Sequence, residues 1–148
     1  LVKDRKTHEW IVGNTDALGF KALIEKIGSP RDAVVWGAGG TRVSLQKVLP
    51  HATFYSARTG APYGDSKEVT GPRVLVWSVG RDRMSQCQWP PKGWQPEQVI
   101  DLNYGDDSPG REYALKVKAH YVSGIEMFKA QAAAQRQIWA ERLAYRAL

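Results

Sequence analysis

The chain is predicted to be one α/β domain, a mostly parallel sheet with helices on both faces, and three observations predict it. Short apolar runs alternate with segments of helical spacing, a pattern that sets consecutive strands parallel. The run Ala33-Val34-Val35-Trp36 ends in Gly37-Ala38-Gly39-Gly40, which reads as a buried strand feeding a tight turn and then a helix. About 20 residues further on, where the next strand of such a fold ends, stands Ser56-Ala57-Arg58-Thr59, with an arginine and no acid beside it.

Each element follows in order. Val2 to Trp10 is polar and reads as a strand remnant and a turn. Leu18, Phe20, Leu23, Ile24 and Ile27 have helical spacing over Asp16–Ile27, with Asn14 or Thr15 available as a cap and Gly28-Ser29-Pro30 as the stop. The strand Ala33–Trp36 and its glycine turn come next, then a helix over Val43–Leu49 ended by Pro50. Ala52–Ser56 and Val74–Ser78 read as the second and third strands. No helical signal stands between them, and Asp65–Thr70 reads as a short irregular crossover. Gln86 to Pro96, rich in Trp, Pro and Gln, reads as a loop. Val99–Leu102 is the fourth strand, and an amphipathic stretch runs from Ser123 to the C-terminus.

The glycine turn carries the first chemical expectation. Glycines allow a phosphate close to the backbone, and the following helix N-terminus offers N–H groups and a positive dipole end. Gly37, Ala38, Gly39, Gly40 and Thr41 are therefore candidate cofactor residues. In dinucleotide folds an acid at the next strand end binds the ribose 2′-OH of NAD, whereas an arginine accommodates the extra phosphate of NADP. Arg58 predicts NADP. The same stretch also fits an ordinary strand–turn–helix with a solvated arginine.

The 148 residues and formal charge of +6 suit a single globular domain. The basic residues are spread rather than blocked, which argues against nucleic acid as a partner. No apolar run approaches the roughly 20 residues that span a bilayer, and no signal-peptide pattern opens the chain. With the single Cys87, a reducing, cytoplasmic setting is expected. His8, His51 and His120 are scattered, without metal-ligand spacing, so no metal site is expected. The chain opens on Leu1 rather than methionine and reads as a piece of a longer polypeptide.

Three further motifs combine with these two. Asn14-Thr15-Asp16-Ala17-Leu18-Gly19-Phe20 resembles the Asn-Thr-Asp-Gly-x-Gly-Phe signature of the shikimate dehydrogenase family. Asp101-Leu102-Asn103-Tyr104 is similar to its Asp-x-x-Tyr segment, and Ser123 to Ala132 to its Gly-x-x-Met-Leu-x-x-Gln-Ala helix. The five motifs stand in the family's order across nearly the whole chain. The resemblance implies a Rossmann-like three-layer fold, NADP as cofactor and shikimate/3-dehydroshikimate as small-molecule substrate. It also implies an N-terminal substrate domain that this chain lacks, with the final helix packing toward it, so the fragment alone is expected to be inactive. Apolar groups of that helix, left exposed, would favour self-association.

The resemblance implies residue roles as well. Asp16 is half of a Lys–Asp catalytic pair whose lysine belongs to the absent domain; by itself Asp16 reads equally as a helix-start acid favoured by the dipole. Gln131 and Tyr104 contact the substrate. Gly124 and Leu102 border the nicotinamide, Arg58 and Thr59 hold the 2′-phosphate, and Ser78 borders the cofactor. Three departures stand out. Ala57 replaces the family's Asn, and Leu75-Val76-Trp77-Ser78-Val79-Gly80 keeps only Ser78 and Gly80 of Asn-Ala-Thr-Ser-x-Gly. Arg42 stands in the glycine turn, to reach a phosphate or face solvent. Trp77 either narrows the nicotinamide cleft or fills core. Two alternatives remain on sequence grounds: a degenerate, non-catalytic dinucleotide-fold module, and a quinate-type relative.

Overall fold

The computed structural model describes residues 2–3, 10–11, 15–26, 28 and 31–144. β1 (Val2–Lys3) and β2 (Trp10–Ile11) form a two-stranded antiparallel pair. The main sheet has five strands, all parallel: β3 (Ala33–Trp36), β4 (Thr53–Tyr55), β5 (Val74–Trp77), β6 (Gln98–Asp101) and β7 (His120–Ser123). Their order across the sheet is β4-β3-β5-β6-β7. The chain moves from β3 outward to β4 and then returns to the other side of β3. The strand order therefore reverses between β3 and β5, the position at which ligands bind in open α/β sheets.

These strands are short apolar runs because both faces of the sheet are covered. Successive side chains point to opposite faces. Val35, Val76 and Ile100 join Phe20, Leu23 and Ile24 of α1 (Asp16–Lys26) and Leu45 of α2 (Arg42–Val48). Met127 of α4 (Ile125–Ala144) packs on the same cluster. Val34, Trp36, Leu75, Trp77 and Val99 face the other way, onto Tyr113 and Ala114 of α3 (Pro109–Val117). Each valine, leucine, isoleucine or phenylalanine among them, removed fully from water, contributes about 1.5–3 kcal/mol.

No helix lies between β4 and β5, as the sequence predicts, and Asp65–Thr70 is irregular. The Trp-rich loop does the covering instead. Trp94 is buried, packs edge-on against Trp36 and Tyr55, and donates from Nε1 to the Val69 carbonyl at 3.0 Å. The segment read only as a loop is thus part of the core.

Three elements escaped the sequence reading. A 3-10 helix spans Arg81–Gln86 and runs into the first residue of the predicted loop. α3 announces itself by its cap: Ser108 accepts from the Gly110 N–H at 3.2 Å, Pro109 opens the helix, and Lys118 closes it in the left-handed region with φ 58°. β7 is a short edge strand of four residues, too brief to show a period. The predicted helix 43–49 and strands 52–56, 74–78 and 99–102 each shift or shorten by a residue or so at their ends. Asn14, Ile27, Ser29 and Pro30 lie outside the described residues, as do residues 4–9.

Candidate functional site

The carboxyl ends of the parallel strands carry the predicted cofactor residues. Gly37 leaves β3 with φ +85°, and a Cβ there would stand 2.1 Å from Val79 Cγ2, so only glycine fits. Its N–H donates to the Tyr55 carbonyl at 3.0 Å, and the Gly39 N–H turns back to the Gly37 carbonyl at 2.8 Å. Ala38 is buried beneath the turn. Gly39 and Gly40 differ from it: a Cβ at Gly40 would meet nothing within 4 Å beyond its chain neighbours, and one at Gly39 would stand 4.0 Å from the Gly37 carbonyl oxygen. The first glycine serves the chain's own packing, whereas the next two leave open space.

Thr41 precedes α2 without capping it; its hydroxyl instead meets the Ser78 hydroxyl at 2.9 Å. Ser78, just past β5, is itself anchored by an N–H bond to the Trp36 carbonyl at 2.9 Å. Two residues named independently from sequence thus meet across the reversal point of the sheet. Arg42 lies with its guanidinium carbon 4.8 Å from the centre of the Tyr63 ring, a cation–π distance.

Arg58 and Thr59 sit on a turn after β4, both exposed. The Thr59 N–H donates to Ser56 Oγ at 3.3 Å, and the Gly60 N–H donates to the Ser56 carbonyl at 2.8 Å with φ +72° at Gly60. Ala57, where the resemblance expects Asn, is buried.

At the end of β6 the side chain of Asp101 is fully buried. It accepts from the Asn103 N–H and from Asn103 Nδ2, each at 2.9 Å, and from the Tyr121 hydroxyl at 3.1 Å. Burial dominates and pushes the Asp101 carboxyl above the usual carboxylate range, against these donors and Ser108, which lower it. Burial, and next the Asp101 charge, push Tyr121 up to about 12. The sequence motif contains Asp101, but nothing in one sequence marks it as the buried hub. The hub fixes Leu102-Asn103-Tyr104, since Asn103 Nδ2 also reaches the Val79 carbonyl at 3.0 Å.

Leu102 packs against the α1/α4 side of the core. Tyr104 is 63% exposed, with its ring 5.2 Å from that of Phe128 on α4. A cleft of about 230 Å³ opens beside it, lined by Arg81, Asn103, Tyr104, Asp107 and Ser108. Gly124 is buried, and a Cβ there would stand 2.7 Å from the Asp101 and Leu102 carbonyl oxygens. The chain's own close approach therefore requires glycine at 124.

Asp16 and Gln131 meet: Gln131 Nε2 donates to Asp16 Oδ1. Gln135 Nε2, one turn on, reaches Thr15 Oγ1 at 3.2 Å. Trp77, left open by the sequence, fills core. It is fully buried, stacked on Tyr113 with centroids 5.7 Å apart, and donates from Nε1 to the Val79 carbonyl at 2.8 Å.

An all-parallel sheet with its order reversed beside a glycine turn defines a Rossmann-like α/β fold. The chain is similar to a solved chorismate mutase/shikimate 5-dehydrogenase fusion protein from Clostridium acetobutylicum, with 23% identity and a TM-score of 0.63 over 86% of this chain and 54% of that one. It is also similar to shikimate 5-dehydrogenase from Thermus thermophilus in complex with shikimate (21%, TM-score 0.58, 86% and 56%). A shikimate dehydrogenase in complex with NADP+ matches likewise (22%, TM-score 0.58, 86% and 56%). The chain spans about half the length of the structures it matches. The family whose motifs the sequence resembles is thus the family whose solved structures share its fold. A scan of protein-family models and a search of curated proteins gave no match. Among the described residues no helix is long and apolar enough to cross a membrane.

Proposed function

We propose that this chain is the NADP-binding domain of an oxidoreductase of the shikimate dehydrogenase type. A substrate domain elsewhere in a longer polypeptide would complete the cleft. The observation that carries this reading is the Thr41–Ser78 contact at 2.9 Å across the reversal point of the sheet, where dinucleotides bind in open α/β folds. The open space at Gly39 and Gly40 fits a pyrophosphate, and the exposed Arg58 with Thr59 fits a 2′-phosphate. The Asp16–Gln131 pair lies on the side where the substrate domain would close. The fold shared with a shikimate complex and an NADP+ complex supports the same reading.

When bound, NADPH supplies a hydride for reduction of a ketone to an alcohol. The chain's own residues do the rest. Leu102 and Gly124 form the floor beside β6 and α4, and Tyr104 stands at the substrate side. Asp16, held by Gln131, orients the lysine of the substrate domain that moves a proton at the reacting oxygen. On this reading the chain alone binds cofactor and does not turn over shikimate.

Calorimetric titration with NADP+ and NAD+ tests the proposal. NADP+ bound in clear preference supports it. Binding of neither places a non-catalytic module ahead.

A further inference from the structure

We propose that Gln88 is a positioning residue for the turn that carries Arg58 and Thr59, and through it sets the preference for a cofactor bearing a 2′-phosphate. This rests on the reading of that turn given above.

Ala57 is buried in the core, whereas Ser56 and Gly60 are half-buried and Arg58 and Thr59 exposed. No helix connects β4 to β5, so no crossover element backs residues 56–60. Its internal bonds are local: Ser56 N–H to the Ala61 carbonyl at 2.9 Å, Gly60 N–H to the Ser56 carbonyl at 2.8 Å, and Thr59 N–H to Ser56 Oγ at 3.3 Å. Among the described residues, the hydrogen bonds that reach this turn from a distant part of the chain come from Gln88. Its N–H donates to the Ala57 carbonyl at 2.7 Å, and its Nε2 donates to the Arg58 carbonyl at 3.3 Å. Its Oε1 lies against Gly60, where a Cβ would approach to 2.9 Å. Glycine at 60, with φ +72°, is what lets the Gln88 amide lie across the turn.

Gln88 is itself anchored. Trp36, buried at the end of β3, donates from Nε1 to the Gln88 carbonyl at 3.1 Å. The next residue after Trp36 is Gly37. One residue from the Trp-rich loop therefore ties the strand that feeds the glycine turn to the turn that bears Arg58.

The bond to the Arg58 carbonyl fixes the peptide plane between residues 58 and 59. That plane sets where the Arg58 side chain departs and where the Thr59 N–H points. Holding both before a ligand arrives reduces the ordering cost of binding. The gain applies only to a cofactor that uses those groups. NAD+, lacking the 2′-phosphate, does not.

The test compares the wild-type chain with Gln88→Met, which keeps the stem and the backbone bonds but removes the Nε2 donor. Gln88 is exposed, so the core is untouched. Two readouts are taken: calorimetric affinity for NADP+ and NAD+, and amide hydrogen exchange in the ligand-free protein. In Gln88→Met, exchange at Thr59 and Gly60 is expected to rise about tenfold, and NADP+ affinity to fall about fivefold with NAD+ affinity unchanged, the scale of one lost hydrogen bond. Unchanged exchange overturns the brace whatever the cofactor result. Faster exchange with equal loss for both cofactors, or no loss for either, overturns the specificity role. A wild-type chain that shows no NADP+ preference overturns the reading of the turn, and the specificity role with it, while the exchange data still decide the brace.

Discussion

Gln131 donates from Nε2 to Asp16 Oδ1, joining side chains 115 positions apart. The contact depends on a third residue. Gly19 faces α4 so closely that a Cβ would stand 2.5 Å from Gln131 Cγ and 2.9 Å from the Met127 carbonyl oxygen. The absent side chain at 19 is what brings the two helices near enough for the amide to reach the carboxylate.

Gly19→Ala is therefore expected to destabilise the fold, although alanine is the better helix former. The propensity gain is about 1 kcal/mol. Against it stands overpacking of about 1–3 kcal/mol, and the Met127 carbonyl is backbone and yields little. Urea denaturation should show a net loss of up to about 2 kcal/mol. A net gain would mean that α4 moves freely on α1.

Arg58→Ala should weaken NADP+ binding by about 1–3 kcal/mol, the range for a charged hydrogen-bond partner, and leave NAD+ binding within error. Calorimetry distinguishes the two. Equal affinity for NADP+ in wild type and variant would remove Arg58 from the site.

Trp94→Ala should cost about 3–5 kcal/mol, the range for deleting a large buried aromatic. Trp94→Phe keeps most of the packing and loses the 3.0 Å bond to the Val69 carbonyl, for about 1 kcal/mol plus a smaller packing loss. Thermal or urea unfolding of both variants checks this ranking. A Trp94→Ala chain as stable as wild type would show that the loop is not part of the cooperative core.

Asp101 predicts a pH dependence with a definite sign. Its carboxyl titrates above its ordinary 3.8 because it is buried. Between the unfolded and folded values the native state holds a proton that the unfolded chain has released. Its contribution to stability is thus fully present below 3.8 and is lost as pH rises through the folded value. Asp101→Asn is neutral and close in shape. Stability of wild type relative to this variant should fall as pH rises across that window and then level off. Urea midpoints across a pH series measure it, and a difference that grows in favour of wild type with rising pH would reverse the assignment.

Four of the five strands of the main sheet were legible because parallel strands buried on both faces leave continuous apolar runs, as at Ala33–Trp36 and Val74–Trp77. The glycine turn after β3 and the strand end before Arg58 were legible because their signals are local in sequence. α3 was missed because its polar residues, Arg111, Glu112 and Lys116, mask a narrow buried stripe of Tyr113 and Ala114. The role of Trp77 was undecidable from sequence. Whether an indole fills core or cleft depends on Tyr113, a distant partner that no local pattern names. The Asp16–Gln131 contact and the Asp101 hub are long-range in the same sense: their residue types were visible, but their partners were not.

The pairing of α1 with α4 also bears on the order in which the molecule assembles. Thr15 and Gln135, bonded at 3.2 Å, enclose every strand of the main sheet in the loop between them. Closing a loop of that length is an entropic cost that returns little until the intervening strands are in register. The helix pair is accordingly expected to form late in folding, which refolding and unfolding rates of a Gln135→Ala variant would check. Weakening it should leave the refolding rate nearly untouched and accelerate unfolding, which would tie the display of Asp16 to a step that follows assembly of the sheet.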